Sequence, residues 1–463
     1  MSKSYDLVVI GSGPGGEVGA IRAAQLGLKV ALVEKREHLG GTCLNVGCIP
    51  TKSLLASAKT WQKLQGASEQ GFTTGELSFD WSKILARKDK IVDQQRKGLR
   101  FLMKKNKIDT FTGHGRIVSK TSVSVSLADG KSETLTTKSI LLATGSRVRE
   151  LPFAKSNGKG IQTSDHILSI EKVPKSLAVI GGGIVGTEFA SMFARMGSEV
   201  TIIELLPQIL PTEDGEVVKE MVRNLKKQKV KISTKTKLKS LEDKGKKVVV
   251  KCEGQDDLEF EKVLLSIGRE PVLDDVGLDK VGLKVSDRGF IDVDEHYRTK
   301  VDNIFAIGDI IATPALAHTA SAEAHHAVEV IAGHKPQVIN YDANPNAIYT
   351  YPEVASIGMT EETCKEKNIE YKVGKFPFAP MAKAKIEDAT MGFVKIIFEP
   401  KHHEILGVHI IGAIATELIA EFALGKVLET TVDEIAMTVH PHPTISETVQ
   451  EAAHDALGGA IHM

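Results

Sequence analysis

Two of the four cysteines in this chain, Cys43 and Cys48, have four residues between them, in the segment GGTCLNVGCIPTK. Cysteine pairs at such spacing serve as metal ligands, as structural disulfides or as redox couples. Cys252 and Cys364 are isolated in the sequence, so they form no second ligand pair and a zinc site is not expected. A disulfide that closes so short a loop restricts the unfolded chain only slightly. Inert buried thiols and a redox couple remain as interpretations.

The segment that precedes this pair has a second copy further along the chain. LVVIGSGPGGEVGAIRAAQLGLKVALVEK begins at Leu7, and LAVIGGGIVGTEFASMFARMGSEVTIIEL begins at Leu177. Each copy predicts a strand, a glycine-rich turn, a helix and a second strand that ends in an acid. The acid, Glu34 or Glu204, follows the first glycine by 23 positions in both copies. The glycines of the two G-x-G-x-x-G motifs are Gly11, Gly13, Gly16 and Gly181, Gly183, Gly186.

Physical reasons connect this pattern to a dinucleotide. The first glycine permits the tight turn, the second lets a pyrophosphate approach the backbone, and the third lets the helix pack on the strand. The phosphates then bind the N–H groups at the start of the helix, and the acid accepts hydrogen bonds from a ribose diol. An acid repels a 2′-phosphate, and Leu205 and Leu206 follow Glu204 where an arginine would be needed. Two dinucleotide sites are predicted, the second for NAD.

The position of the cysteines removes the inert-thiol interpretation. They follow shortly after Glu34, where the first copy delivers its dinucleotide. Pro50 suits the start of a helix at Cys48, and the positive end of that helix and the cation of Lys52 are expected to lower a thiol pKa. A thiol–disulfide couple beside a two-electron carrier indicates a flavin, FAD, because a flavin passes electrons between a nicotinamide and a sulfur.

Composition excludes several classes of function. Lys+Arg and Asp+Glu both number 59, so no basic field predicts binding to nucleic acid or to an anionic membrane. The apolar stretch 408–424 is interrupted by His409, Glu417 and Glu421, so a membrane span is not expected. The start MSKSYDLVVIGSG is not typical of a signal or transit sequence. Four cysteines are too few for a secreted disulfide framework. A cytoplasmic location is expected, with the mitochondrial matrix as the alternative for a processed form.

Three further strands that end at glycines, and a change in amino-acid composition past Tyr341, indicate the domain organisation. SILLATGSR, KVLLSIGREP and NIFAIGDI each carry an apolar strand to a glycine, and a linker is predicted past Tyr341. Strands at 393–398 and 405–411 and helices at 415–428 and 432–437 follow it. The predicted fold is α/β, with two Rossmann-like dinucleotide-binding domains, for FAD and NAD, and a C-terminal α+β dimerisation domain. The expected bounds are 1–149 for FAD and the cysteine pair, 150–271 for NAD, 272–345 for a central segment that completes the FAD site, and 346–463 for dimerisation.

Taken together, these motifs resemble the pyridine nucleotide–disulfide oxidoreductase family. The cysteine segment, both glycine motifs, LLATGSR, SIGREP and NIFAIGD carry the resemblance over essentially the whole chain, and HPHPTISE (His440 to Glu447) is similar to the family's active-site base motif. The resemblance is greatest to members that oxidise dihydrolipoamide. It implies a homodimer that passes electrons through a Cys43–Cys48 disulfide and FAD to NAD⁺. The implied partners are lipoyl domains on the E2 core of 2-oxoacid dehydrogenase complexes or the glycine cleavage system.

The resemblance also implies roles for single residues. Cys43 is the thiol that exchanges with substrate, Cys48 faces the flavin, His442 is the base and Glu447 orients it. Lys52 and Glu188 are implied to pair near the flavin. The remaining implied cofactor residues are Gly41, Thr42, Gly115, Thr144, Gly145, Ser146, Leu238, Gly268, Asp309, Ala315, Leu316, Ala317 and His318, and no metal is implied.

The residues of the C-terminal motif support the same base more weakly. Pro441 and Pro443 keep His442 in a non-helical segment, and Thr444 is predicted to cap a helix that starts at Ile445. A histidine flanked by prolines is ordinarily structural, but exchange at a thiol needs a general base.

Alternative functions fit the residues less well. Glutathione-type reductases carry arginines near the position of Glu204, mercuric reductases end in a vicinal cysteine pair where this chain ends GGAIHM, and soluble transhydrogenases lack the first cysteine. A nucleotide-binding structural subunit with an idle redox site is the alternative from another class. Glu17 departs from the family, in which tyrosine is common at that position, so a difference in substrate fit or in flavin potential is expected there.

Overall fold

The structure, a computed structural model, describes residues 3–463. Its strands are β1 Lys3–Ile10, β2 Val30–Glu34, β3 Asp109–Ser119, β4 Ser122–Leu127, β5 Ser132–Leu142, β6 Ser146–Val148, β7 Ile161–Thr163, β8 Ser176–Ile180, β9 Glu199–Ile203, β10 Lys231–Ser233, β11 Leu238–Asp243, β12 Val248–Cys252, β13 Leu258–Phe260, β14 Lys262–Leu265, β15 Arg269–Pro271, β16 Ile304–Ala306, β17 Asn346–Ile348, β18 Glu353–Gly358, β19 Lys372–Pro377, β20 Phe393–Phe398 and β21 Ile405–Gly412.

Its α-helices are α1 Pro14–Gln25, α2 Gly41–Val46, α3 Cys48–Gln65, α4 Trp81–Lys105, α5 Ser164–Ile167, α6 Ile184–Arg195, α7 Gly215–Lys227, α8 Ala317–Ile331, α9 Glu361–Glu366, α10 Ala382–Ile386, α11 Ala415–Val427, α12 Val432–Met437 and α13 Glu447–Ala456. Short 3₁₀ helices cover Ala67–Gln70, Leu278–Val281, Gly308–Ile310 and Tyr341–Ala343. Among residues 3–463, no helix combines the length and the apolar character that crossing a bilayer requires.

The chain forms two compact units, and each is assembled from separate segments. The first contains the segment that ends at Leu54 together with Asp80–Arg149 and Gly268–Ile339. The second contains Leu55–Phe79, Glu150–Ile267 and Asn340–Met463. The four domain bounds expected from the sequence stay predictions.

A parallel sheet in the order β3-β2-β1-β5-β16 forms the centre of the first unit. β2 is buried along its whole length, as expected for a parallel strand covered on both faces. β3 and β5 extend further and pair antiparallel with β4. From β1 the chain passes to β2 on one side, and β5 returns on the other side of β1. The crevice between β1 and β5 is therefore the switch point at which such sheets bind ligands.

The second unit contains a sheet of the same kind, in the order β10-β9-β8-β14-β7, with all neighbours parallel. β8 lies between β9 and β14, so its carboxyl end is again a switch point. The antiparallel strands β11, β12 and β13 form a separate small sheet. An antiparallel sheet, β17-β18-β21-β20-β19, follows later in the chain, and α13 packs against β19 and β20.

The C-terminal elements confirm the predicted type and correct some bounds. The strand predicted at 405–411 ends at Gly412, and the helix predicted to 428 ends at Val427. The segment predicted as a linker contains β17 and β18, because Val354, Ala355 and Ile357 are buried against β21. The prediction of a plain linker was therefore wrong.

Lys395 in β20 is fully buried in the second unit among carboxylates. Its Nζ lies 2.9 Å from Oδ1 of Asp214 and 3.1 Å from Oε2 of Glu216, and it also pairs with Glu361. Burial disfavours the ammonium, yet hydrogen bonds to Glu361 and Asp214 raise the pKa of Lys395. Burial likewise opposes ionisation of the three acids, but Lys395 outweighs it and lowers the pKa of each of them.

Candidate redox site

The first glycine motif joins β1 to α1 and leaves no room for a side chain at its first and third glycines. Gly11 has φ +100°, and a Cβ there would lie 2.2 Å from the carbonyl oxygen of Ala143, just after β5. A Cβ at Gly16 would lie 1.9 Å from the carbonyl oxygen of Gly11. The side of Gly13 is open, since no atom of the described chain beyond its neighbours lies within 4 Å of where its Cβ would be. Gly13 is also the N-cap of α1, so a phosphate could approach the positive end of this helix there.

The acid at the end of β2 faces this loop. Oε2 of Glu34 accepts hydrogen bonds from the backbone N–H of Ser12 at 3.0 Å and from its hydroxyl at 2.6 Å, and Oε1 accepts from the N–H of Arg36 at 2.9 Å. The hydroxyl oxygen of Ser12 in turn accepts from the N–H of Gly40 at 3.1 Å. Ser12, which the sequence interpretation did not single out, therefore connects the glycine loop, the acid and the cysteine segment.

The second copy repeats this geometry around α6. A Cβ at Gly181 would lie 2.5 Å from the carbonyl oxygen of Ser266, and one at Gly186 would lie 2.0 Å from that of Gly181. At Gly183, the N-cap of α6, the side is again open within the described residues. The chain therefore brings a helix start to a switch point twice.

The second acid is held as the first is. Oε2 of Glu204 accepts from the N–H of Gly182 at 2.6 Å, and Oε1 accepts from the N–H of Leu206 at 2.7 Å. The donors correspond position by position to those of Glu34. The two copies therefore share the backbone hydrogen bonds to the acid as well as the sequence pattern.

The cysteine pair lies at the junction of α2 and α3, and the start of α2 packs against the first glycine loop. A Cβ at Gly41, the first residue of α2, would lie 2.5 Å from Cα of Gly13. Cys43 lies in α2, and Cys48 is the first residue of α3. Both are free thiols in this structure, and their side chains are hydrogen-bonded to each other.

The surroundings of Cys43 oppose its ionisation. The hydrogen bond with Cys48, burial, and the negative charges of Cys48 and Glu17 raise the pKa of Cys43. The lowering expected from the end of α3 and from Lys52 concerned a thiol at the start of that helix, which is the position of Cys48, and it stays a prediction.

Asn45, between the two cysteines, supports this segment and was missed from the sequence. Its amide donates to the carbonyl oxygens of Leu39 at 3.0 Å and of Gly41 at 2.8 Å, and its Oδ1 accepts from Nε of Arg96 in α4 at 2.8 Å. A polar residue between two candidate redox cysteines was the available signal.

A second group of predicted cofactor residues is joined by hydrogen bonds where β5 and β16 end. The hydroxyl of Ser146 donates to the carboxylate of Asp309. Arg269, which was not singled out, donates from Nε to Oγ of Ser146 at 2.7 Å and from Nη2 to its carbonyl oxygen at 2.8 Å. Thr144 donates from its hydroxyl to the carbonyl oxygen of Val272 at 2.6 Å. Gly145 and Gly268 lie beside these residues in sequence and have positive φ.

The other predicted cofactor residues lie in several elements. Gly115 is on β3, where a Cβ would lie 3.0 Å from Val33. Leu238 is buried at the start of β11. Glu188 is buried in α6, and its Oε1 accepts from the N–H of Tyr349 at 2.9 Å. Its pairing with Lys52 of α3 stays a prediction. Thr42 is in α2, and Ala315, Leu316, Ala317 and His318 lead into α8, of which Leu316 is the N-cap.

His442 and Glu447 form a dyad in the second unit. Nδ1 of His442 lies 2.9 Å from Oε1 of Glu447, and Oε2 of Glu447 accepts from the N–H of Thr444 at 2.8 Å. Burial alone would raise the pKa of Glu447, but the hydrogen bonds from Thr444 and His442 lower it. The helix predicted from Ile445 begins at Glu447, because the Glu447 carboxylate binds back to the Thr444 N–H while residues 445–446 form a turn.

The dyad leaves one ring nitrogen available. A carboxylate only accepts hydrogen bonds, so Nδ1 of His442 carries a proton and Nε2 has the free lone pair in the neutral ring. The His442 side chain is 74% exposed, so that lone pair can meet an incoming group. Nearby, Nε2 of His440 pairs with Glu421 at 3.1 Å, a contact that was also missed from the sequence.

Comparison with known proteins identifies the family. The family described as Pyridine nucleotide-disulphide oxidoreductase matches residues 5–324, and its dimerisation domain matches residues 344–453. The chain belongs to the pyridine nucleotide-disulphide oxidoreductase family. A protein of Zymomonas mobilis named dihydrolipoyl dehydrogenase is 43% identical over 467 residues and covers 100% of both chains. One of the same name from Bacillus subtilis is 43% identical over 477 residues, again with 100% of both chains covered.

A solved structure of a family member supports the fold. The crystal structure of LpdA from Mycobacterium tuberculosis matches with a TM-score of 0.92 at 25% identity and covers 97% of this chain and 99% of that chain. The predicted family, the α/β fold with two nucleotide-binding folds and a dimerisation domain, and the oxidoreductase class are confirmed. The dimerisation domain supports a homodimer. The alternatives of a glutathione- or mercuric-type reductase and of an idle structural subunit are not favoured.

Proposed function

We propose that this protein oxidises protein-bound dihydrolipoamide to lipoamide and delivers the two electrons to NAD⁺. One observation carries the proposal: the hydrogen-bonded Cys43–Cys48 pair follows directly after Gly41, which packs against the glycine loop of the first nucleotide fold. Full-length relatives named dihydrolipoyl dehydrogenase support the same substrate.

Thiol exchange transfers two electrons from dihydrolipoamide to the cysteine pair. One thiolate of dihydrolipoamide attacks the sulfur of Cys43 in the Cys43–Cys48 disulfide, and Cys48 leaves as a thiolate. The second thiol of the substrate then attacks the mixed disulfide, which releases lipoamide and leaves Cys43 reduced. The substrate loses two electrons and two protons, and the cysteine pair gains the two electrons. NAD⁺ takes them as a hydride equivalent, and one proton is released.

The residues at the first switch point suit FAD. The open side of Gly13, the start of α1 and the Glu34 carboxylate suit a pyrophosphate and an adjacent ribose. Gly41, Thr42, Lys52, Gly115, Thr144, Gly145, Ser146, Asp309 and the 315–318 segment would complete the contacts. When bound, FAD supplies a two-electron carrier between the cysteines and NAD⁺.

The second switch point suits NAD⁺. Gly183 is open in the same way as Gly13, and Glu204 would accept hydrogen bonds from the ribose diol. Its negative charge disfavours a 2′-phosphate. Gly181, Gly186, Glu188, Leu238 and Gly268 would provide the remaining contacts.

His442 would act as the base for the exchange. Nε2 takes the proton of the attacking substrate thiol, whose unperturbed pKa lies above 7. Glu447 fixes the ring through Nδ1 and stabilises the imidazolium that forms.

The test is NAD⁺-dependent oxidation of dihydrolipoamide, free and on a lipoyl domain. Cys43→Ser and Cys48→Ser should each abolish turnover. Neither variant has a disulfide for NADH to open, so NADH should expose no additional thiols in either. Cys252→Ala is the matched control, because Cys252 is a buried thiol in β12 outside the site. Preference for glutathione or Hg²⁺ over dihydrolipoamide would contradict the proposal.

The partner complex follows from the substrate. Lipoyl domains on an E2 core of a 2-oxoacid dehydrogenase complex, or those of the glycine cleavage system, are the proposed partners. A cytoplasmic location stays a prediction, to be tested by fractionation of the source cells.

A further inference from the structure

Glu17 is a half-buried acid close to the cysteine pair. It is the fourth residue of α1, and its N–H donates to the carbonyl oxygen of Gly13 at 2.9 Å. It therefore lies one helical turn beyond the contact between Gly13 and Gly41. Cys43 lies just beyond the same contact, as the third residue of α2.

The carboxyl of Glu17 has no partner in the described part of the chain. No hydrogen bond or ion pair reaches it from residues 3–463. Burial raises the pKa of Glu17 to about 7. Glu17 in turn contributes to the raised pKa of Cys43, after the hydrogen bond with Cys48, burial and the charge of Cys48. A carboxylate at Glu17 and a thiolate at Cys43 therefore disfavour each other.

Other acids on the elements packed against α1 have their own partners. α1 packs on α8, β1 and β2. Glu34 of β2 binds Ser12 and Arg36, Glu323 of α8 accepts from the Gly308 N–H, and Glu329 of α8 pairs with Arg22. Apart from Cys48, the remaining titratable groups on these elements and on α3 are Lys3, Tyr5, Asp6, Lys52, Lys59, Lys63, His318, His325 and His326.

We propose that Glu17 is a positioning residue that keeps the proton on Cys43 when the pair is reduced, so that Cys48 carries the thiolate. The proposal rests on the redox role of Cys43 and Cys48 proposed above. Reduction by dihydrolipoamide breaks the Cys43–Cys48 bond, forms the disulfide of lipoamide and leaves two protons. One proton stays on Cys43 opposite the Glu17 carboxylate, the other is held by His442, and Cys48 keeps the negative charge.

The experiment measures alkylation of Cys43 by iodoacetamide in the holoenzyme reduced with NADH, by peptide mass spectrometry across pH 5.5 to 8.5. Below about pH 7 Glu17 is protonated, so wild type and Glu17→Gln should react at the same rate. Above it the wild-type thiol is held protonated. Glu17→Gln should then react faster than the wild type, by about tenfold, because a neutral amide does not disfavour the thiolate of Cys43.

Two variants separate charge from packing. Glu17→Asp keeps the charge and should follow the wild-type profile. Glu37→Gln removes an exposed acid from the same unit and should also follow it. If Glu17→Gln and wild type give parallel profiles over the whole range while NADH still opens the pair, the Glu17 proposal is wrong. If NADH exposes no thiols even in the wild type, the proposed function fails instead.

Discussion

Glu447 holds the ring of His442, with its Oε1 2.9 Å from Nδ1. The second oxygen of Glu447 is fixed by the N–H of Thr444 at 2.8 Å, so the carboxylate cannot rotate away without losing a hydrogen bond. Nε2 of His442 is thereby kept as the proton acceptor. Both hydrogen bonds of Glu447 span the turn that precedes α13, so the geometry of the His442–Glu447 dyad is set by that turn.

His442→Gln should lower dihydrolipoamide turnover by about 10²–10⁴-fold, the usual contribution of general acid–base catalysis. The number of thiols exposed by NADH should stay at the wild-type value, because that reduction does not use the base. Steady-state kinetics and thiol counting measure the two effects. His402→Gln is the control, since His402 is exposed and lies in a turn after β20. Equal turnover in both variants would remove His442 from the mechanism.

Glu204→Arg should shift coenzyme preference from NADH toward NADPH. The carboxylate would no longer accept from a ribose diol, and its repulsion of a 2′-phosphate would disappear. The change should amount to about 1–3 kcal/mol, or about tenfold to a hundredfold in the ratio of kcat/KM values. Titration calorimetry with NADH and NADPH measures the accompanying change in the ratio of their dissociation constants.

The control for Glu204→Arg is Glu199→Arg, at the exposed start of β9, the strand that leads to Glu204. A general effect of added positive charge would appear in both variants. A wild-type protein that already binds NADPH more tightly than NADH would contradict the assignment of Glu204.

Lys395→Met should destabilise the protein by about 3–5 kcal/mol at pH 7, because the buried Asp214 carboxylate, and Glu361 beside it, would lose the ammonium that offsets the cost of their burial. Lys375→Met is the matched control. Lys375 also pairs with Glu216, at 3.2 Å, but its side chain is 37% exposed. Urea unfolding followed by circular dichroism measures both variants.

The pH dependence of this effect has a definite sign. The pKa values of Asp214, Glu216 and Glu361 are lowered in the folded protein, so their stabilisation is present above the unfolded values near 4 and is lost as pH falls through the folded ones. Without Lys395, burial raises the pKa values of the same three acids. Lowering the pH then protonates them and removes part of the destabilisation of the variant. The gap between Lys395→Met and wild type should therefore narrow as pH falls from 7 to about 4. A constant gap would indicate lost packing and not lost charge pairing.

The glycine motifs predicted both nucleotide folds, because their spacing reflects local sterics that any such turn must satisfy. A Cβ at Gly16 would collide with the carbonyl oxygen of Gly11, and Gly186 and Gly181 repeat this. The raised pKa of Cys43 was not predictable, since it depends first on the hydrogen bond with Cys48 and on burial, which the spacing does not reveal. Glu17 adds a smaller part, and the contact of Gly41 with Gly13 brings it close.

Long-range contacts set the remaining limits of the sequence interpretation. The segment past Tyr341 gave no clear strand signal, yet pairing of β18 with β21 makes it part of a sheet. Arg269 lies 123 positions from Ser146, and no local pattern connects them. Motifs that local sterics and spacing determine could be predicted from the sequence. Contacts between residues far apart in the chain could not.

The last prediction is that each active site takes Cys43 from one subunit and His442 from the other. The second unit carries His442 within the matched dimerisation domain. Close to it in sequence, Met437 and Val439 are exposed apolar residues, as are Val427 and Leu428 at the end of α11. A two-fold interface would cover such a surface and bring the histidine to the partner subunit.

Heterodimers with two different affinity tags test this sharing. In a dimer of a Cys43→Ser chain with a His442→Gln chain, the shared arrangement combines an intact Cys43 and an intact His442 in one of the two sites, so turnover should reappear. In a dimer of a Cys43→Ser/His442→Gln chain with a wild-type chain, the same arrangement leaves both sites incomplete, so turnover should stay absent. Sites built within one subunit give the opposite result in each case. Steady-state turnover of the two purified heterodimers therefore decides between the arrangements. A folding defect would lower the turnover of both heterodimers, but it could not change which of the two is active.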